Sequence, residues 1–244
     1  MLNNMESKLQ ALPEDWDSAL AIVAHPDDLE YGCASAVARW VSLGKKITYV
    51  MVTDGEAGID SMTPSDVAPL RRKEELDSAA VVGVKDVEFL GLKDGVIEYD
   101  LALRRSISRM VRQYKPDVLI TNNFAIKFPG GRLNMADHRA VGLAVLDAAR
   151  DAGNRWIFTE LLEEDLDPWN GVKNVFITGS PDAQHAVDVT AFIDKGVESL
   201  EKHRVYIENL GTDFDPDSFL TFNAAAVGER FDCDYAVAFE VWDI

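Results

Sequence analysis

Short apolar runs alternate with longer amphipathic stretches through the first two-thirds of the chain. Residues 19–23 (ALAIV) and 47–52 (ITYVMV) are continuous apolar and β-branched runs, which predict buried strands. Residues 87–90 and 118–121 predict two more. Between them, 29–43, 65–82 and 101–114 carry apolar side chains at helical spacing, as Leu103, Ile107, Met110 and Val111 do in the third. Gly83 and Pro116 close the second and third of these helices. Beyond them, 137–151 and 191–206 predict helices, and 156–159, 175–178 and 235–241 predict strands.

Strands alternating with helices predict an α/β fold, a three-layer α/β/α arrangement around a mostly parallel sheet with right-handed crossovers. The 244 residues suit one domain over 18–244. Residues 1–17 read as a loosely ordered N-terminal arm. One loop, 122–136, is long for a compact domain, and such loops are often functional.

The formal net charge of −18 argues against nucleic acid and anionic membrane as partners. No apolar run approaches the roughly 20 residues of a membrane span. The acidic N-terminus is no signal peptide, so a cytoplasmic location is expected. Cys33 and Cys233 are expected to be reduced. The oligomeric state stays open, with a homo-oligomer among the options.

The densest chemistry is Ala24-His25-Pro26-Asp27-Asp28, directly after the first strand. Pro26 bars continuation of that strand, so the cluster falls in a strand-to-helix turn. In an open α/β sheet such turns lie at the carboxyl ends of the strands, where ligands bind. His138 falls at a second such junction, after the fourth strand run. His25, Asp28 and His138 are therefore expected to converge as a set of two histidines and one carboxylate. Three protein ligands with an open position is the catalytic zinc pattern, and the set also suits iron(II). Asp27 is the extra carboxylate and is assigned to the proton of the water such a metal acidifies. That chemistry suits amide or ester hydrolysis of a small molecule. Neither Gly-x-Gly-x-x-Gly after the first strand nor Gly-x-Ser-x-Gly occurs, which argues against a dinucleotide site and a serine-hydrolase elbow. In the long loop, Asn123 and its neighbouring amides and aromatics suit a sugar.

The order of five motifs resembles the LmbE-like (PIG-L) metal-dependent de-N-acetylase family. They are Ala24 to Asp28, Asp54-Gly55-Glu56, Arg71-Arg72-Lys73-Glu74 with Gly83, Leu92-Lys93-Asp94-Gly95, and Asp137-His138-Arg139-Ala140-Val141-Gly142. The resemblance implies a Rossmann-like fold, a divalent metal, usually zinc, and removal of an acetyl group from an N-acetylglucosamine-type sugar conjugate. It implies His25, Asp28 and His138 as metal ligands and Asp27 as general base. It sets Arg71 and Asp94 near the substrate sugar. The bland alternatives are a salt bridge from Arg71 to Glu74 or Glu75, and a turn role for Asp94.

One position departs from the family. Many members carry His-Pro-Asp-His where this chain has Met135-Ala136-Asp137-His138. The first histidine of that motif is read as an acid, and Met135 cannot replace it. Asp137 would then hold His138 or cap the following helix. The acid would come from Asp27 once protonated, from His185, or from His203. Met135 also motivates a non-catalytic metal- or sugar-binding reading. An iron-dependent oxygenase is a third, disfavoured by Asp27.

Overall fold

The computed structural model describes residues 8–211 and 213–244. Its elements are β1 (Gln10–Ala11), β2 (Ser18–Val23), α1 (Asp28–Gly32), α2 (Ala34–Ser42), β3 (Lys46–Thr53), α3 (Pro64–Val81), β4 (Asp86–Leu92), α4 (Leu101–Tyr114), β5 (Val118–Asn122), α5 (Ala136–Asp151), β6 (Asn174–Thr178), β7 (His185–Asp188), α6 (Ile193–Leu200), α7 (Arg204–Glu208), α8 (Pro216–Gly228) and β8 (Ala236–Asp243). One sheet runs in the order β1-β7-β8-β6-β5-β2-β3-β4. All neighbours pair in parallel except β8, which is antiparallel to β6 and β7.

The predicted α/β layering follows from strands that are buried on both faces. In β2, Leu20 and Ile22 enter one core with α4 and α5, while Ala19, Ala21 and Val23 enter the other. That second core holds α2 and the aromatic group Trp16, Trp40, Tyr49, Phe176 and Phe239. The chain leaves β2 for β3 on one side and later returns to pair β5 on the other. The carboxyl ends of β2 and β5 therefore flank the point where strand order reverses, the usual crevice for a ligand.

Several boundaries differ from the sequence reading. Of the segment read as an arm, residues 1–7 lie outside the described residues. The rest packs: β1 pairs β7, and Leu12 and Trp16 are buried. The helix expected over 29–43 breaks at Cys33, where Thr178 Oγ1 donates to Gly32 O at 2.8 Å. Residues 156–159 form no strand. Buried Arg112 donates to the carbonyls of Ala152, Asn154 and Ile157 and gathers that segment into a turn. The helix expected over 191–206 divides into α6 and α7 around His203. Elements β7 and α8 were not expected. Among the described residues, no helix is long and apolar enough to cross a membrane.

Candidate metal centre

The turn after β2 is unusual in its backbone. Asp27 has φ 92° and ψ −21°, a left-handed conformation that costs a non-glycine residue energy. Two side chains one helical turn apart on α3 hold it there. Arg71 Nη2 donates to Asp27 Oδ2 at 2.9 Å and also to Pro26 O, and Glu75 Oε2 accepts from Asp27 N at 3.2 Å. The left-handed turn lets Asp27 point back to α3 while Asp28 begins α1 and faces the other way, towards His25 and His138.

His25, Asp28 and His138 meet as expected, all three buried. Asp28 Oδ1 lies 3.0 Å from His138 Nε2, and Asp28 Oδ2 lies 3.6 Å from His25 Nδ1. The imidazole centroids are 5.2 Å apart. Each ring has its outer nitrogen engaged: His138 Nδ1 is 3.0 Å from Asn134 Oδ1. His25 Nε2 is 3.0 Å from Asp94 Oδ1 and 3.3 Å from Asp137 Oδ2. Acceptors at those positions select the neutral tautomers in which His25 Nδ1 and His138 Nε2 would turn lone pairs towards a cation beside Asp28; without a cation, the surrounding carboxylates favour a second proton on the His25 ring. His138 Nε2 is buried and makes no aligned hydrogen bond despite its closeness to Asp28. The donor set and this orphaned nitrogen fit a divalent cation.

The electrostatics are those of strongly interacting buried groups. Burial alone would raise the Asp28 carboxyl, but His138 and His25 hold it well below the usual range. Burial alone would lower His25, but Asp137, Asp28 and Asp94 raise it well above its ordinary value. Asp27 is pushed up by burial, against the opposing charge of Arg71. Asp94 is lowered, its burial outweighed by His25.

The other expected residues are placed less uniformly. Asp94 joins the cluster, with Oδ2 accepting from Ala57 N at 2.8 Å. Asp137 neither holds His138 nor caps α5. It accepts from Gly95 N at 2.7 Å and Ile97 N at 3.2 Å, and so fixes the 93–97 turn beside His25. Arg71 is 2 % exposed, and its guanidinium is engaged by Asp27, Pro26 and His203, with Glu74 Oε2 at 3.5 Å. It faces the protein interior. Asn123 stays outside the cluster, because its amide ties the long loop: Nδ2 donates to Lys127 O and Oδ1 accepts from Ala125 N. Phe128 in that loop sets its ring edge-on to His138, with centroids 5.9 Å apart. Met135 is 51 % exposed and contributes no acid. His185 lies in β7 and belongs to none of the ligating clusters among the described residues, which does not support it as the acid.

Sequence reasoning missed Asn134, the contact of Glu75 with Asp27 N, and the burial of His203. Asn134 is the more legible, because it precedes His138 by four residues, near the start of a helix. Its amide nitrogen also donates to the carbonyls of Asn123 and Ala125, which binds the loop to the histidine.

A family model described as "PIG-L: GlcNAc-PI de-N-acetylase" matches residues 20–149. Diacetylchitobiose deacetylase of Thermococcus kodakarensis is 23 % identical over 205 residues, 83 % of this chain and 75 % of that protein. A probable N-acetyl-alpha-D-glucosaminyl L-malate deacetylase of Bacillus subtilis is 32 % identical over 139 residues. That match spans 54 % of this chain and 60 % of the Bacillus protein. Among solved structures, N,N'-diacetylchitobiose deacetylase from Pyrococcus horikoshii superposes with a TM-score of 0.85 at 24 % identity. The overlap takes in 98 % of this chain and 88 % of that one.

Proposed function

The chain belongs to the PIG-L (LmbE-like) de-N-acetylase family, and on that premise we propose a metal-dependent hydrolase that deacetylates N-acetylglucosamine-type conjugates. The observation that carries this reading is the convergence of His25 Nδ1, His138 Nε2 and Asp28, with the outer ring nitrogens already engaged. Zinc is the proposed metal, and when bound it would polarise the amide carbonyl and acidify a water molecule.

The chain's own residues supply the rest. Asp27 takes a proton from the attacking water. One of its oxygens is engaged by Arg71, and among the described residues the other accepts no hydrogen bond. A buried carboxyl pushed upward is a better proton acceptor than an ordinary aspartate. The same carboxyl then passes that proton to the leaving nitrogen, which needs no acid at position 135. Asp94 and Asp137 hold His25, and Asn134 holds His138, so the ligand geometry is set before substrate arrives. Phe128 walls one side beside His138 with an apolar ring.

N,N'-diacetylchitobiose and N-acetylglucosaminyl malate, the compounds in the relatives' names, are the first substrates to assay. Acetate release by the zinc-loaded protein from either supports the proposal. Failure across N-acetylglucosaminides at full metal occupancy refutes it. That failure is what the second reading, a non-catalytic metal-holding member, predicts, and the half-exposed Met135 favours that reading.

A further inference from the structure

Behind the candidate site lies a second buried polar cluster: Glu30, Glu75 and His203, all 1 % exposed or less. It borders Arg71, whose guanidinium lies over the Tyr206 ring with Cζ 3.9 Å from the centroid. Arg71 Nη1 is 3.3 Å from His203 Nδ1. Arginine has donors only, so a contact at this distance requires a lone pair on Nδ1. The proton of the His203 ring then sits on Nε2. That nitrogen faces Glu30 Oε2 and Glu75 Oε2, each at 3.7 Å, and has no hydrogen-bond partner. With the proton on Nε2, the ring turns a donor and no lone pair towards the two glutamates.

The geometry points to His203 as a positioning residue for the candidate base, acting through Arg71. This rests on the reading of Asp27 given above. His203 is the N-cap residue of α7, at the break that separates α7 from α6, and the break is what turns its ring inward. His203 and Tyr206 together bracket the guanidinium. Nη1 is held by His203, and Nη2 is thereby aimed at Asp27 Oδ2 and Pro26 O. Without the Nδ1 acceptor, the guanidinium is free to turn towards Glu74 Oε2, 3.5 Å from Nη1. Asp27 then loses the contact that fixes its carboxylate. His203 is fully buried behind Arg71 and offers no surface to a ligand, so its loss is expected to act on turnover rather than on substrate binding.

Two substitutions separate the two ring nitrogens in the full chain. His203→Asn keeps an acceptor where Nδ1 stands and removes the group facing the glutamates. His203→Gln keeps a donor where Nε2 stands and removes the acceptor for Arg71. The expected result is a fall in kcat of about 10–100-fold for His203→Gln, with KM within about twofold and zinc content unchanged, and near-wild-type kcat for His203→Asn. Equal losses in both variants, or loss in neither, overturn the inference. A readout independent of turnover is the ring ¹⁵N spectrum of the metal-free wild-type protein, which should show the His203 proton on Nε2. A proton on Nδ1 overturns the inference even if both variants fail to fold. If the wild type releases no acetate while the Nε2 tautomer is seen, the functional reading fails and the Arg71 contact stands.

Discussion

His138 Nε2 lies 3.0 Å from Asp28 Oδ1, though the two residues follow different strands. The parallel pairing of β2 with β5 brings them together, because it aligns the carboxyl ends from which both loops depart. Asn134 completes the arrangement by accepting from the far side of the His138 ring. Asn134→Ala should therefore weaken zinc binding about 10–100-fold, as loss of an outer-shell partner does. Competition with a chelator of known affinity measures it. An unchanged dissociation constant would remove Asn134 from the site.

Asp27→Asn keeps the size of the side chain and removes the basic oxygen. Turnover of an N-acetylglucosaminide should fall about 10²–10⁴-fold. Zinc content should not change, because Asp27 is not in the ligand set. Turnover that survives at full metal occupancy contradicts the role given to Asp27.

Glu75 has a carboxyl pushed well above its ordinary value of 4.5, by burial first and then by repulsion from Glu30. The folded protein thus keeps a proton that the unfolded chain has released above that value. Stability from this group falls as pH rises from 4.5 towards the folded pKa. Glu75→Gln preserves an acceptor for Asp27 N and cannot ionise. Its Tm should match wild type at pH 4 and exceed it at pH 8 by about 2–4 °C. Thermal unfolding at both pH values checks this, and a lower Tm at pH 8 would show that the ionised carboxylate is the stabilising form.

Much of this was legible in the chain. The runs at 19–23, 47–52 and 118–121 are apolar on both faces and could only be interior strands, and 101–114 has one unbroken apolar face. The turn at His25 to Asp28 concentrates too much charge after a buried strand to be structural filler. What stayed hidden depends on partners far away in sequence. His203 sits between Lys202 and Arg204, so its local pattern reads as surface, yet it is fully buried against Arg71. Arg71 read as an ion pair with Glu74 or Glu75 or as a sugar contact; Glu74 Oε2 does lie 3.5 Å from it, and the partner the sequence hid is Asp27, supplied by another element. The apolar residues at 156–159 suggested a strand, but buried Arg112 binds the carbonyls of Asn154 and Ile157 and holds the segment in a turn. Strand β7 is too short, and too polar at His185 and Asp188, to announce itself.

The central claim is that His25, Asp28 and His138 bind one divalent cation, and titration of the purified metal-free chain with zinc tests it most directly. The account predicts tight binding with close to one ion per chain, and loss of that binding in both His138→Ala and Asp28→Ala. A wild-type chain that takes up no zinc, or a His138→Ala variant that binds it as tightly as wild type, would contradict the account.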